Sequence, residues 1–308
     1  MTTSTSSAAG RSAAVIGLGS MGFGIAVSLR RAGFDVIGCD VRPAATAQFA
    51  ATGGRVAATS LEACSGVDLV VCVVLNDVQT ESVLFAPAGI ASAMGEGAVF
   101  VSCATMAPAR AVQIAERLEA TGRHYLDAPI SGGAARAAEG QLTILASGSS
   151  AAFAKARPAL DAMAATVYEL GDRPGQGAAF KMINQLLAGV HIAAASEAMA
   201  FAARQGLDIR RVYEVITASA GNSWMFENRM KHVVDGDYAP RSAIDIFVKD
   251  LGIVQDMART EKFPVPMAGA ALQMFLMASA AGMGRDDDAS VARLYARVTG
   301  TSLPGGAP

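Results

Sequence analysis

The sequence predicts an α/β protein of two domains: a Rossmann-type doubly wound sheet, then an all-α domain joined to it through one long helix. Three observations predict this. Between Ala13 and Leu170, short near-continuous apolar runs alternate with helical stretches, the pattern of parallel strands covered on both faces. The glycine motif Gly17-Leu18-Gly19-Ser20-Met21-Gly22 lies between the first of those runs and the first helix. Beyond Gly171 the strand signals stop and helical periodicity alone remains.

The elements follow in order. Strands are expected at 13–17, 36–40, 68–74, 98–103 and 124–127, with helices at 20–32, 43–52, 78–85 and 107–121 between them. Runs at 141–147 and 166–170 are expected to add strands at the end of the sheet. The segment 176–205 has no proline and is rich in Ala, Leu and Met; thirty helical residues span about 45 Å, a length suited to a spine between domains. Further helices are expected at 208–219, 223–232, 243–262, 266–280 and 286–297. The organisation is therefore a disordered arm at 1–12, a dinucleotide-binding domain at 13–172, a helical domain at 173–300 and a loose tail at 301–308.

Composition narrows the class. At 52% hydrophobic and 17% charged, the chain can bury a large core and lies far from the disordered regime. A net charge of -2 with scattered Lys and Arg excludes a nucleic-acid partner. Cys39, Cys64, Cys72 and Cys103 include no Cys-x-x-Cys pair, and the three histidines are far apart, so we expect free thiols in a reducing cytosol and no metal site. Residues 1–12 lack the apolar core of a secretory signal. The nearest approach to a membrane span, 186–203, contains His191 and Glu197 and reads as a buried helix; no membrane partner is expected, and the location is cytoplasmic.

The glycine motif carries the first chemistry. Gly17 permits a tight turn, Gly19 lets backbone approach a pyrophosphate, and Gly22 lets helix and strand pack closely. The helix start, with Leu18, Ser20 and Met21 in its turn, offers N–H groups to phosphate. Asp40 closes the second strand, 18 residues past Gly22, where a carboxylate accepts hydrogen bonds from ribose hydroxyls and repels a 2′-phosphate. Val41 and Arg42 follow it; an arginine there can stack on adenine or meet a phosphate. The expected cofactor is NAD. Leu75 and Asn76 follow the third strand and are expected in the same crevice, outside the carboxyl ends of the strands.

Three further motifs stand in order: Asp127-Ala128-Pro129-Ile130-Ser131-Gly132-Gly133 running on to Gly140, Gly177-Ala178-Ala179-Phe180-Lys181-Met182-Ile183-Asn184, and Phe247-Val248-Lys249-Asp250-Leu251. With the glycine motif they make the chain resemble the β-hydroxyacid dehydrogenase family over roughly residues 13–298. The segments 185–191 and 220–229, and 237–241, resemble more closely the family's branch acting on L-threonate. The resemblance implies an NAD-dependent oxidation of a short hydroxy acid, with 3-hydroxyisobutyrate oxidation or tartronate semialdehyde reduction as alternatives. An inactive NAD-binding interaction module is an alternative of another class, but in such relatives the lysine is replaced. Many relatives carry two asparagines after the lysine; here the second position is Gln185, one methylene longer, which implies a reshaped substrate pocket.

Oxidising an alcohol with NAD needs a hydride acceptor and a base for the hydroxyl proton. Lys181 is the candidate base. Its ordinary pKa is about 10.4, so it needs desolvation or a nearby cation to work near neutrality. On a helix Lys181, Asn184, Gln185 and Ala188 share a face, and His191 continues the stripe towards the far end of a substrate. Asn184 is expected to bind the reacting hydroxyl or orient the lysine. The resemblance implies that Ser131, Gly132 and Gly133 cradle the carboxylate, that Thr105 lies by the nicotinamide, and that Lys249 gives positive charge to the nicotinamide side or the substrate. Trp224 and Phe226 are expected to be packing residues, His124 a structural histidine, and Asp286, Asp287 and Asp288 a charge run at a helix start. The long apolar helix also predicts a homodimer or homotetramer.

Overall fold

The computed structural model describes residues 11–305; most of the expected arm, and residues 306–308 of the expected tail, lie outside them. The chain divides into two compact units at Lys181/Met182. That division falls inside a helix.

The first unit is a Rossmann sheet. Its elements are β1 (Ser12–Ile16), α1 (Ser20–Arg31), β2 (Asp35–Cys39), α2 (Pro43–Ala51), β3 (Arg55–Val56), α3 (Ser60–Cys64), β4 (Leu69–Cys72), α4 (Asp77–Phe85), β5 (Val99–Ser102), α5 (Pro108–Glu119) and β6 (His124–Asp127). The six strands pair in parallel in the order β3-β2-β1-β4-β5-β6, so the order reverses beside β1. Strand alternation fills both faces: Ala13, Val15, Val71 and Val101 point into one core, and Ala14, Ile16, Val70 and Phe100 into the other. Strands with apolar residues on both faces are what a doubly covered parallel sheet requires.

The unit continues through β7 (Ile130–Ser131), α6 (Gly133–Glu139), β8 (Leu142–Ala146), α7 (Ser150–Met163) and β9 (Ala164–Glu169). The expected strands at 141–147 and 166–170 do not extend the main sheet. They form a second, three-stranded sheet in the order β7-β8-β9, tied to the first by a bridge between Asp127 and Ser147. The reason lies in helix α6, which the Gly-rich stretch concealed. It packs on α1 so closely that a Cβ on Gly24 would lie 2.5 Å from the Ala138 nitrogen, and Ser28 Oγ donates to the Ala137 carbonyl at 2.8 Å. That packing takes the chain away from the edge at β6.

A helix of 29 residues, α8 (Gln176–Arg204), carries the chain from the first unit into the second. By length and composition α8 could cross a membrane, as could the 266–283 segment; half of α8's most apolar window is buried, as in a core helix. The second unit continues with α9 (Ile209–Thr217), α10 (Trp224–Asp235), α11 (Ile244–Thr260), α12 (Pro266–Ala278) and α13 (Val291–Thr299). Its core joins Met182, Ile192, Phe247, Leu251 and Phe275, with a second cluster around Met199, Phe226, Met230 and Val233.

Three expectations change here. Leu303 is buried against the second cluster, and Gly305 meets the backbone of Gly236, so residues 301–305 are docked rather than loose. Trp224 is not a packing residue: it is 51% exposed at the start of α10, while Phe226 is buried and stacks on Tyr213. The three aspartates stand at a helix start as expected, but Asp287 and Asp288 are buried and paired there rather than a plain charge run. Asp287 accepts from the Ala289 nitrogen at the short 3-10 turn before α13 and pairs with His232, and buried Asp288 pairs with Arg229 at 2.6 Å. A buried carboxylate must have such partners, and the sequence did not reveal them.

Candidate active site

The dinucleotide-binding corner assembles from local chain geometry. Gly17 has φ +92°, and a Cβ on it would lie 2.3 Å from the Val73 carbonyl oxygen; one on Gly22 would lie 1.9 Å from the Gly17 carbonyl oxygen. Those two glycines are required by the protein's own backbone. Gly19 is different: the nearest atom to a Cβ there is an Arg42 guanidinium nitrogen at 3.7 Å. Nothing in the fold forbids a side chain at Gly19, so the open space suits an incoming group such as a pyrophosphate. It borders a cavity of about 360 Å³ lined by Leu18, Ser20, Phe23, Arg42, Ala45 and Gln48, among others.

Asp40 stands directly after β2. Its Oδ2 accepts from the Leu18 nitrogen at 2.7 Å, and its Oδ1 accepts from the Arg42 nitrogen at 2.8 Å and from Arg42 Nε at 3.1 Å. Burial alone raises the pKa of this carboxyl, but the Arg42 and Leu18 hydrogen bonds outweigh it and hold it below its ordinary range. The motif turn and the acidic residue are thus locked to each other. Arg42 is engaged with Asp40, and Val41 is fully exposed. These residues fit a dinucleotide whose ribose hydroxyls donate to the carboxylate.

At the other strand ends, Asn76 caps α4: its Oδ1 accepts from the Gln79 nitrogen at 2.9 Å, and the Gln79 side chain accepts from the Leu75 nitrogen at 2.8 Å. Leu75 is exposed. Thr105 lies half-buried in the loop between β5 and α5.

The lysine site lies at the end of β6. Lys181 is only 7% exposed, and its Nζ donates to the Ile130 carbonyl at 2.8 Å. Ile130 immediately precedes Ser131, Gly132 and Gly133, so the amine sits beside the segment to which the family resemblance gives a carboxylate. Gly132 and Gly133 have φ of +136° and +84°, conformations that glycine adopts without strain. A Cβ on Gly133 would meet nothing within 4 Å, so the backbone there is open.

Sequence reasoning missed what holds Lys181 in place. Asp127 is buried, and its Oδ2 accepts from the Gly175 and Ala178 nitrogens at 2.9 and 2.8 Å, at the start of α8. Ser147 Oγ donates to the same carboxylate oxygen at 3.3 Å and accepts from the Gly177 nitrogen at 2.9 Å. These contacts satisfy N–H groups that a helix start leaves without partners. Burial pushes the Asp127 carboxyl up to about 6, against the lowering effect of the Ala178, Gly175 and Ser147 hydrogen bonds. Gly177 completes the joint: a Cβ on it would lie 2.3 Å from the Leu145 carbonyl oxygen, so glycine alone lets α8 begin this close to β8. The signal was present in the sequence, since Asp127 opens one motif and Gly177 the other, but their pairing is tertiary.

In the second unit, Asn184 Nδ2 donates to Gln185 Oε1 at 2.9 Å, and Gln185 Nε2 donates to Asp250 Oδ2 at 2.5 Å. Asp250 also pairs with Lys249 Nζ. His191 is half-buried two turns beyond Asn184.

The sheet order, the glycine turn and Asp40 define an NAD-binding dehydrogenase, and the comparisons agree. Residues 12–171 match the model described as the NAD binding domain of 6-phosphogluconate dehydrogenase, and residues 175–295 match that described as NAD-binding of NADP-dependent 3-hydroxyisobutyrate dehydrogenase. The chain belongs to the β-hydroxyacid dehydrogenase family, the relatives of 3-hydroxyisobutyrate dehydrogenase. It is 52% identical over 295 residues to L-threonate dehydrogenase of Cupriavidus necator, covering 96% of this chain and 98% of that one. It is 47% identical to L-threonate dehydrogenase of Escherichia coli K12, covering 94% and 96%. A crystal structure of 3-hydroxyisobutyrate dehydrogenase from Salmonella typhimurium superposes with a TM-score of 0.88 at 51% identity, covering 92% of this chain and 99% of that one.

Proposed function

We propose that the protein oxidises L-threonate to 2-dehydro-L-erythronate with NAD, Lys181 acting as the general base. The observation that carries this reading is the buried Lys181 amine, held on the Ile130 carbonyl one residue from Ser131. The relatives named L-threonate dehydrogenase at about half identity over nearly the full chain supply the substrate. When bound, the nicotinamide supplies the acceptor for the hydride, which leaves the substrate carbon with the electron pair of its C–H bond. The Lys181 amine takes the hydroxyl proton. The Ser131 hydroxyl and the Gly132 and Gly133 backbone bind the substrate carboxylate. Asn184 accepts from a substrate hydroxyl, His191 contacts the far end of the substrate, and Lys249 adds positive charge for the substrate or the nicotinamide. Thr105, Leu75 and Asn76 attend the cofactor on the sheet side.

Asp40 favours NAD over NADP, because a carboxylate held ionised in that position opposes a 2′-phosphate and its neighbouring Arg42 is already engaged. Four buried free cysteines, with burial pushing Cys64 and Cys103 up to about 12, suit a reducing cytosol. The exposed apolar residues Phe180, Ile183, Leu187 and Phe201 along α8 suit a homo-oligomer, which light scattering would contradict by giving a monomer of about 31 kDa.

The test is NADH formation with L-threonate, 3-hydroxyisobutyrate, D-glycerate and serine side by side. We expect turnover to be best with L-threonate. Good turnover of another acid without turnover of L-threonate overturns the substrate. Lys181→Ala should lose roughly three orders of magnitude or more in kcat while still binding NADH; retained turnover removes Lys181 from its role.

A further inference from the structure

We propose that Gln185, where the chain departs from many relatives, is a positioning residue that fixes the amide of Asn184 and the ammonium of Lys249, and does not itself touch the hydroxy acid. Its side chain is 7% exposed and both ends of its amide are engaged: Nε2 donates to Asp250 Oδ2 at 2.5 Å, and Oε1 accepts from Asn184 Nδ2 at 2.9 Å. Asp250 is 1% exposed, and its other oxygen holds Lys249 Nζ. The result is one hydrogen-bonded line, Asn184–Gln185–Asp250–Lys249, between α8 and α11.

The line has a direction, and the direction has a chemical consequence. Asp250, ion-paired with Lys249, presents acceptors only, so the Gln185 atom facing it must be the NH2 group. The Gln185 oxygen is then the atom left for Asn184, and Asn184 must offer it a donor. That orients the Asn184 amide: its nitrogen is committed to Gln185, and its oxygen is the atom available to accept from a substrate hydroxyl. That oxygen can accept from a second hydroxyl of the substrate while the reacting hydroxyl gives its single proton to Lys181. The buried setting strengthens each bond in the line and penalises an unmade one.

Length decides why this residue is glutamine. Asparagine at 185 has one carbon–carbon bond fewer and retracts the amide by about 1.5 Å, which breaks the bond to Asp250. Lys249 then loses the partnership that fixes its carboxylate neighbour, and the Asn184 amide can flip.

The inference rests on the proposed roles of Asn184 and Lys249, so its test runs beside Lys181→Ala on the full-length enzyme, with NADH binding followed by fluorescence. Gln185→Asn should lower kcat roughly tenfold for every hydroxy acid the native enzyme turns over, leaving their ranking and NADH affinity unchanged. Adding Asp250→Glu, which returns the lost methylene from the other side, should recover most of that kcat. A changed substrate ranking, or a raised KM for the acid with kcat intact, overturns the proposal by showing direct contact. A lower melting temperature with unchanged kcat per NADH-binding site overturns it too, by showing a purely structural role. If the double variant does not fold, the ranking and the kcat-against-KM split of Gln185→Asn decide alone. Lys181→Ala retaining turnover would fault the base assignment, an outcome separate from the Gln185 pattern.

Discussion

Two aspartates close two strands of the same sheet, and the fold treats them in opposite ways. Asp40, after β2, pairs with the exposed Arg42 and is held below the ordinary carboxylate range. Asp127, the last residue of β6, is buried, receives the N–H groups of Gly175 and Ala178, and is pushed up to about 6. Residue type and strand position are shared; only the surroundings differ. The first carboxylate is engaged by the glycine turn and Arg42, whereas the second is engaged by the start of α8. A carboxylate at the rim of a parallel sheet is therefore not by itself a ligand residue.

The comparison can be broken most strongly at Asp127. Asp127→Ala leaves two buried N–H groups without an acceptor and should cost about 2–4 kcal/mol of stability. It should also lower kcat roughly a hundredfold, because displacing α8 by even an ångström misplaces Lys181; chemical denaturation and steady-state rates check both.

Gly177→Ala attacks the same joint from the steric side. The added Cβ cannot lie 2.3 Å from the Leu145 oxygen, so the helix must move, and we expect a loss of about 1–3 kcal/mol together with reduced turnover. A variant as stable and active as the native enzyme would show that the joint is looser than its geometry.

Asp40→Ala should behave otherwise. Fold stability should fall by about 1–2 kcal/mol, because the Leu18 and Arg42 N–H groups lose their acceptor. The kcat/KM for NAD should fall roughly tenfold or more while that for NADP falls less, which rates with both cofactors would read.

The smallest effect is on the pH dependence of stability, and its sign separates the two residues. Asp127 has a raised pKa, so the folded state holds its proton more tightly than an unfolded chain near 3.9. Its contribution is greatest below about 4 and is lost as the pH rises to about 6. Asp40 has a lowered pKa, so its contribution is present above about 4 and is lost as the pH falls. Melting temperatures of Asp127→Asn and Asp40→Asn, each subtracted from the native curve, should therefore slope in opposite directions on the acid side. Parallel slopes would contradict the contrast.

Much was legible in the residues because the signals were local. The Gly17-to-Gly22 turn, the apolar strands and the long proline-free helix each follow from short-range sterics and hydrophobic periodicity, and each forms where the sequence indicated. Lys181 and Asn184 could be placed on one helical face from spacing alone. Helix α6 was hidden because glycine and alanine give weak periodicity, and it formed through packing on Gly24 and Ser28 of α1. Its presence turned the 141–147 and 166–170 runs into a separate sheet.

By itself, then, the sequence determined the class of fold, the glycine turn and the helix that carries Lys181 and Asn184, since these depend on neighbours within a few residues. Tertiary structure alone decided what each polar group became. It set Asp127 and Gly177 against β8 to aim Lys181, buried Asp287 beside His232 and Asp288 beside Arg229, left Trp224 exposed, and joined Gln185 to Asp250 across 65 positions of chain. The physical reason is that a buried hydrogen bond gains its strength from partners and dielectric supplied by distant segments, and no local pattern encodes those.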